Sequence, residues 1–135
     1  MLATLKDLPF LTSLLYQECE RTRKGGIEVA WSVEEAGLFI AKALSDLSFH
    51  IEVERTGNSI QAVCGVKLFN PLLPPHPLSV VEWLWWGKDK KATVRVWNTC
   101  KIWAKAQGAQ YAMCVLARPQ TRPGKFIETY QWVEL

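Results

Sequence analysis

The stretch Leu78-Ser-Val-Val-Glu-Trp-Leu-Trp-Trp86, followed by Gly87-Lys-Asp-Lys-Lys91, decides the fold. Nine residues with a single charge and no clean alternation read as a strand covered on both faces, which places it at the centre of a sheet. The polar connector 87–91 leads into residues 92–107, where Val96, Trp97, Cys100, Trp103 and Ala104 recur at helical spacing before Gly108 closes the segment. A short apolar run at 110–116 supplies the next strand. A right-handed crossover from the central strand through this helix makes the two strands parallel.

Towards the N-terminus, residues 2–5 read as a short strand. Asp7 is placed to cap a helix with Pro9 in its tolerated first turn and Leu8, Leu11, Leu14, Leu15 and Tyr16 as its apolar stripe. That helix runs to about Lys24, with Arg21, Arg23 and Lys24 favoured near its C-terminus and Gly25-Gly26 stopping it. Ser32-Val-Glu-Glu35 has the form of a capping box and opens a second helix, with Ala36, Phe39, Ile40, Ala43 and Leu44 inward. Residues 48–55 alternate, Phe49, Ile51 and Val53 against His50, Glu52 and Glu54, which predicts a half-exposed strand. A turn at 56–59 and a return strand at 60–69 complete an antiparallel hairpin, ended by the proline-rich segment 70–77. Beyond 116, Pro119, Pro123 and Gly124 mark a turn region, and 126–134 is a final strand. The expected order is β-α-α-β-β-β-α-β-β. It describes a single domain over residues 1–135, of class α/β (α+β), with a mixed, mainly antiparallel sheet and helices on both faces.

With 135 residues, 49% hydrophobic and 21% charged, the chain has the composition of one globular domain and is long enough to bury a core without staples. Cys19, Cys64, Cys100 and Cys114 lie far apart with no metal-ligand spacing, so they read as isolated thiols. No run reaches the length of a membrane span, no signal-peptide pattern opens the chain, and a cytoplasmic location is expected. A net charge of +3 suits anionic ligands but falls short of a dedicated nucleic-acid binder.

The element order, and the opening Thr4-Leu-Lys-Asp-Leu-Pro-Phe-Leu11, resemble the GCN5-related N-acyltransferase (GNAT) superfamily over nearly the whole chain. The resemblance implies an acyl-CoA-dependent N-acyltransferase, with acetyl-CoA or another acyl-CoA as cosubstrate and a small-molecule or peptide amine as acceptor. In that family a loop of the form Arg/Gln-x-x-Gly-x-Gly/Ala holds the pyrophosphate on backbone amides at a helix N-terminus. It falls here on Gly87, Lys88, Asp89, Lys90, Lys91 and Ala92, with Gly87 at the first basic position and Lys90 in place of the central glycine. Lys88, Lys90 and Lys91 then hold phosphates through their ammonium groups. Leu84, Trp85 and Trp86 supply backbone amides that polarise the thioester. Glu82, a carboxylate among Val80, Val81, Trp83 and Leu84, matches the family's general base, and desolvation suits it to that role. The family's general-acid tyrosine sits on a helix after the fifth strand, an interval that here holds two prolines. Tyr111 and Tyr130 are the remaining candidates in this half of the chain, and Tyr130 is taken as the catalytic one.

Each of these readings has a plainer counterpart. Lys88, Lys90 and Lys91 sit in a solvated loop, Glu82 is a paired strand glutamate, and His50 and His76 are a surface and a loop residue. The two departures from the family pattern favour a catalytically lapsed GNAT-like protein with a structural or assembly role, and the compact, tryptophan-rich chain also resembles the small GNAT-like proteins carried by tailed bacteriophages. A nucleic-acid-binding module, suggested by Lys88, Lys90, Lys91, Arg95, Lys101 and Lys105 among Trp85, Trp86, Trp97 and Trp103, is explained as well by an amphipathic helix. Seven tryptophans exceed what one small core hides, which leaves aromatic surface for a cleft or for a second copy in a homodimer.

Overall fold

The computed structural model describes the backbone of residues 1–24, 32–70, 78–119 and 126–135, with side chains except at 21–24, 115–119 and 126–130. Helices α1 (Leu8–Lys24) and α2 (Val33–Ser45) come first, then strands β1 (Phe49–Thr56), β2 (Ser59–Phe69) and β3 (Ser79–Gly87). Helix α3 (Lys90–Ala106) and strands β4 (Tyr111–Pro119) and β5 (Phe126–Glu134) follow. The five strands stand in sequence order, antiparallel except for the β3–β4 pair, which is parallel as the crossover through α3 requires. β3 is therefore central.

The expected first strand shrinks to one bridge, Leu2 to Glu52. The chain leaves the sheet at Thr4, whose amide donates to the Asp7 carboxylate at 2.8 Å, and it turns through a 3-10 segment, Leu5–Asp7, into α1. Asp7 thus closes that turn instead of capping α1. Ser32 does cap α2, its Oγ accepting from the Glu35 amide at 3.1 Å. Gly57, at φ 61°, makes the β1–β2 turn. β4 extends to Pro119, three residues beyond its expected end. Gly25, Gly26, Trp31, His76, Pro123 and Gly124 lie outside the described residues.

Two cores flank the sheet. On one face α1 and α2 pack Leu11, Leu14, Ala36 and Ile40 on Ile51, Val53, Val63 and Leu84, with Phe39, Phe49 and Trp83 edge to face beside them. On the other, α3 lays Ala92, Val96, Cys100 and Ala104 on Ala62, Cys64, Val66, Val80 and Ala112. α3 also covers the polar side of β1, so the expected half-exposed strand is overturned. Arg95 grips the Glu54 carboxylate through Nε at 2.9 and 3.1 Å, and the His50 ring stacks on Trp103 at 4.7 Å. Alternation reports which residues share a face, not whether a helix lies over it.

Candidate functional site

The site grows from two irregularities of β3. Against β2 the register skips one residue: Leu84 pairs with Gly65 and Glu82 with Val66, so Trp83 is the extra residue of a β-bulge. The bulge shifts the phase of the strand. Glu82 and Trp85 belong to the α3 face, with Val66 and Cys64 as their partners, whereas Trp83, Leu84 and Trp86 all pack on the α1–α2 side. Gly65 accommodates the bulge: a Cβ there would meet Leu84 and the Trp83 ring at 3.0 Å.

Against β4 the ladder is short. Only Ser79–Tyr111, Val80–Ala112 and Val81–Met113 pair, and among the described residues no pairing between β3 and β4 follows. From Glu82 to Gly87 one edge of β3 is left open towards β4, and alternate backbone groups of a strand are directed at such an edge. Glu82 is the first residue past the last pair. It is 7% exposed, and its charge reaches thiols on both neighbouring strands. Burial first, then the Glu82 charge, pushes the Cys114 thiol up, against a lowering by Lys101. The Cys64 thiol is pushed up by its hydrogen bond with Cys100 and by burial. These thiols are held protonated and are poor nucleophiles. Among the described residues no cluster of His, Cys, Asp and Glu is placed to hold a metal.

The expected cosubstrate residues divide. Leu84 is buried, Trp85 is 40% exposed and leans on Trp97 at 5.7 Å, and Trp86 meets Phe10 edge-on at 5.3 Å. Gly87 is small for a local reason: a Cβ would come within 2.0 Å of Thr93 Oγ1. Lys88 is tied to the β1–β2 hairpin, its amide donating to Gln61 O at 2.8 Å and its Nζ to Ser59 Oγ at 3.3 Å. Lys90 and Lys91 are exposed in the first turn of α3, which begins two residues earlier than expected.

The reason for that early start is Asp89, whose role sequence reading missed. Its Oδ1 accepts from the Ala92 amide at 2.8 Å and its carbonyl from the Thr93 hydroxyl at 2.7 Å, so a carboxylate caps the end of α3 where the family motif seats a phosphate. The signal was available, since Asp before a helical run is a standard cap. Tyr130 lies in β5 opposite Val115, which sets its backbone one strand beyond the open stretch of β4. Its side chain is outside the described ones. β4 and β5 pair without a break from Tyr111–Glu134 to Pro119–Phe126.

His50, expected at the surface, is instead enclosed. Its Nε2 lies 2.9 Å from Glu52 Oε2, and Glu52, 4% exposed, also pairs with the Met1 amine. Burial, with the Met1 charge second, holds the imidazole below its ordinary pKa. No helix among the described residues is long and apolar enough to cross a membrane.

No protein-family model matches the chain, and no curated protein matches it. Solved structures do. A predicted acetyltransferase from Clostridium acetobutylicum, determined with acetyl-CoA, superposes with a TM-score of 0.69 at 14% identity, covering 86% of this chain and 79% of that one. A ribosomal-protein-alanine N-acetyltransferase from Brucella melitensis gives 0.67 at 14% identity, over 87% and 73%. An acetyltransferase from Vibrio fischeri gives 0.65 at 14% identity, over 84% and 92%. At such identities the likeness is one of architecture: the chain has the GNAT-like fold.

Proposed function

We propose that the protein is an acyl-CoA-dependent N-acyltransferase that transfers an acetyl group from acetyl-CoA, or a related acyl group, to a small-molecule or peptide amine. The observation that carries this reading is the opening of the β3–β4 ladder directly beside a buried carboxylate. The thioester carbonyl lies along the open edge at Leu84–Trp86 and is polarised by strand amides aimed there. Glu82 takes the proton of the attacking amine, directly or through water, and the CoA thiolate leaves. Tyr130 is the candidate to protonate that thiolate. The protein bound to acetyl-CoA in the Clostridium structure shares the architecture, which supports acyl-CoA as the cosubstrate. Phosphates rest on Lys90, Lys91 and the first amides of α3.

A second reading, a GNAT-like domain that has lost catalysis and serves in assembly, is favoured by one observation, the Asp89 cap. A carboxylate at the helix N-terminus repels the group that the loop would bind. Calorimetry with acetyl-CoA separates the two. Acyltransferase function predicts binding that Lys90→Glu with Lys91→Glu abolishes and that Asp89→Asn, which keeps the cap and removes the charge, strengthens by a factor of up to about five. An amine screen then loses turnover in Glu82→Gln. A folded protein that ignores acetyl-CoA, with and without Asp89→Asn, leaves the assembly reading.

A further inference from the structure

A cleft on the α1–α2 side of the sheet, at the hairpin end, has a composition that the acyl-CoA site does not explain. Its volume is about 430 Å³. Phe10 and Trp86 form its aromatic wall, and Lys6, Arg55 and Lys88 converge on it beside Asn58 and Ser59. Asp7, the one carboxylate in the lining, is 3% exposed and committed: it accepts from the Thr4 amide and is ion-paired with Arg55. Burial alone raises its carboxyl, but the Arg55 and Thr4 hydrogen bonds and the Arg55 charge outweigh that and hold it below the ordinary value, so it stays ionised and fixes the guanidinium. Among the described residues neither Lys6 nor Lys88 has a carboxylate partner. The cleft therefore keeps an excess of positive charge beside an aromatic surface.

The end of the β2–β3 ladder helps to build this arrangement. Where β1 meets β2, Glu54 pairs with Ala62 and Arg55 with Ile60, leaving Gln61 as the extra residue whose carbonyl holds the Lys88 amide. Lys88 and Gln61 continue the β2–β3 ladder past Gly87 and Ala62, and the Lys88 ammonium reaches Ser59 at the hairpin. Trp86 belongs at once to this cleft and to the open edge of β3.

We propose that the cleft binds a small ligand carrying a phosphate or carboxylate on an apolar or aromatic body. This holds whether or not the protein is an acyltransferase. Lys6, Lys88 and the outer guanidinium face take the oxyanion, while the body lies against Phe10 and Trp86.

The test is titration of the full chain with phenyl phosphate, benzoate and phenol, followed by the NMR shifts of the Trp86 indole and the Asn58 and Ser59 amides. One or both anions shift these signals saturably, less so as salt rises, and phenol does not; which anion is tighter tells phosphate from carboxylate. Lys6→Ala with Lys88→Ala weakens binding about tenfold or more, whereas Lys90→Glu with Lys91→Glu leaves it unchanged. Absence of shifts in a folded protein overturns the site, as does binding that follows Lys90 and Lys91 instead. Acetyl-CoA is titrated separately. If it fails while phenyl phosphate binds, the cleft stands and the acyltransferase reading falls; if it binds and neither anion does, the cleft falls alone.

Discussion

The two faces of the sheet are built from different materials. The α1–α2 face buries large side chains, Leu11, Ile40, Ile51 and Val53 with an aromatic cluster around Trp83, while the buried residues of the α3 face are alanine, valine and cysteine, with Trp97 and Trp103 partly buried against them. The ionisable groups His50, Glu52, Glu54 and Glu82 lie on the α3 face as well. The lesson is that one face derives stability from volume, whereas the other depends on fit and on charges being matched.

The two should then fail in opposite ways. Ile40→Ala leaves a cavity in the large-residue face and costs about 2–5 kcal/mol in urea denaturation. Ala104→Leu forces a side chain into the tight face and costs about 1–3 kcal/mol; a neutral result would break the comparison. Gly87→Ala belongs to the same kind, because its Cβ would lie 2.0 Å from Thr93 Oγ1, and it is expected to cost about 1–3 kcal/mol. Adding Thr93→Ala should restore much of that loss, which a purely conformational effect of glycine would not allow. Asp89→Ala removes the α3 cap for about 1 kcal/mol, while Asp89→Asn keeps most of it.

The smallest effect is a dependence on pH. The His50 pKa is depressed in the folded state, so the unfolded chain binds the proton more readily. His50 therefore contributes its stabilisation above its ordinary value of 6.5, and this is lost as pH falls through the depressed folded value. Stability measured from pH 8 to pH 5 should decline less in His50→Gln than in the parent; equal slopes would remove His50 from the account.

Much of this architecture is legible in the residues. The apolar run ending at Trp86, the stripe around Val96 and Cys100, and the alternation of β1 specify the elements and the central place of β3. What alternation does not carry is the identity of the covering layer, which is why His50 and Glu52 read as exposed and are enclosed by α3 and the N-terminal segment. At the candidate site the burial of Glu82 was legible, because it follows from its neighbours in sequence. The bulge at Trp83 was not, because an extra residue is defined only against a partner strand. Nor was the cleft, whose Asp7 and Arg55 meet across 48 positions of chain.

The three-pair junction between β3 and β4 also has a mechanical side. The β4–β5 hairpin is held together by nine pairs and joined to β3 by three, so the sheet has a seam at its middle instead of at its rim. Cooperative units separate where the contacts between them are fewest. Parting at this seam would leave the β1–β2–β3 meander whole and the β4–β5 pair whole, with α3, which packs on Val80 of β3 and Ala112 of β4, as the element that spans it.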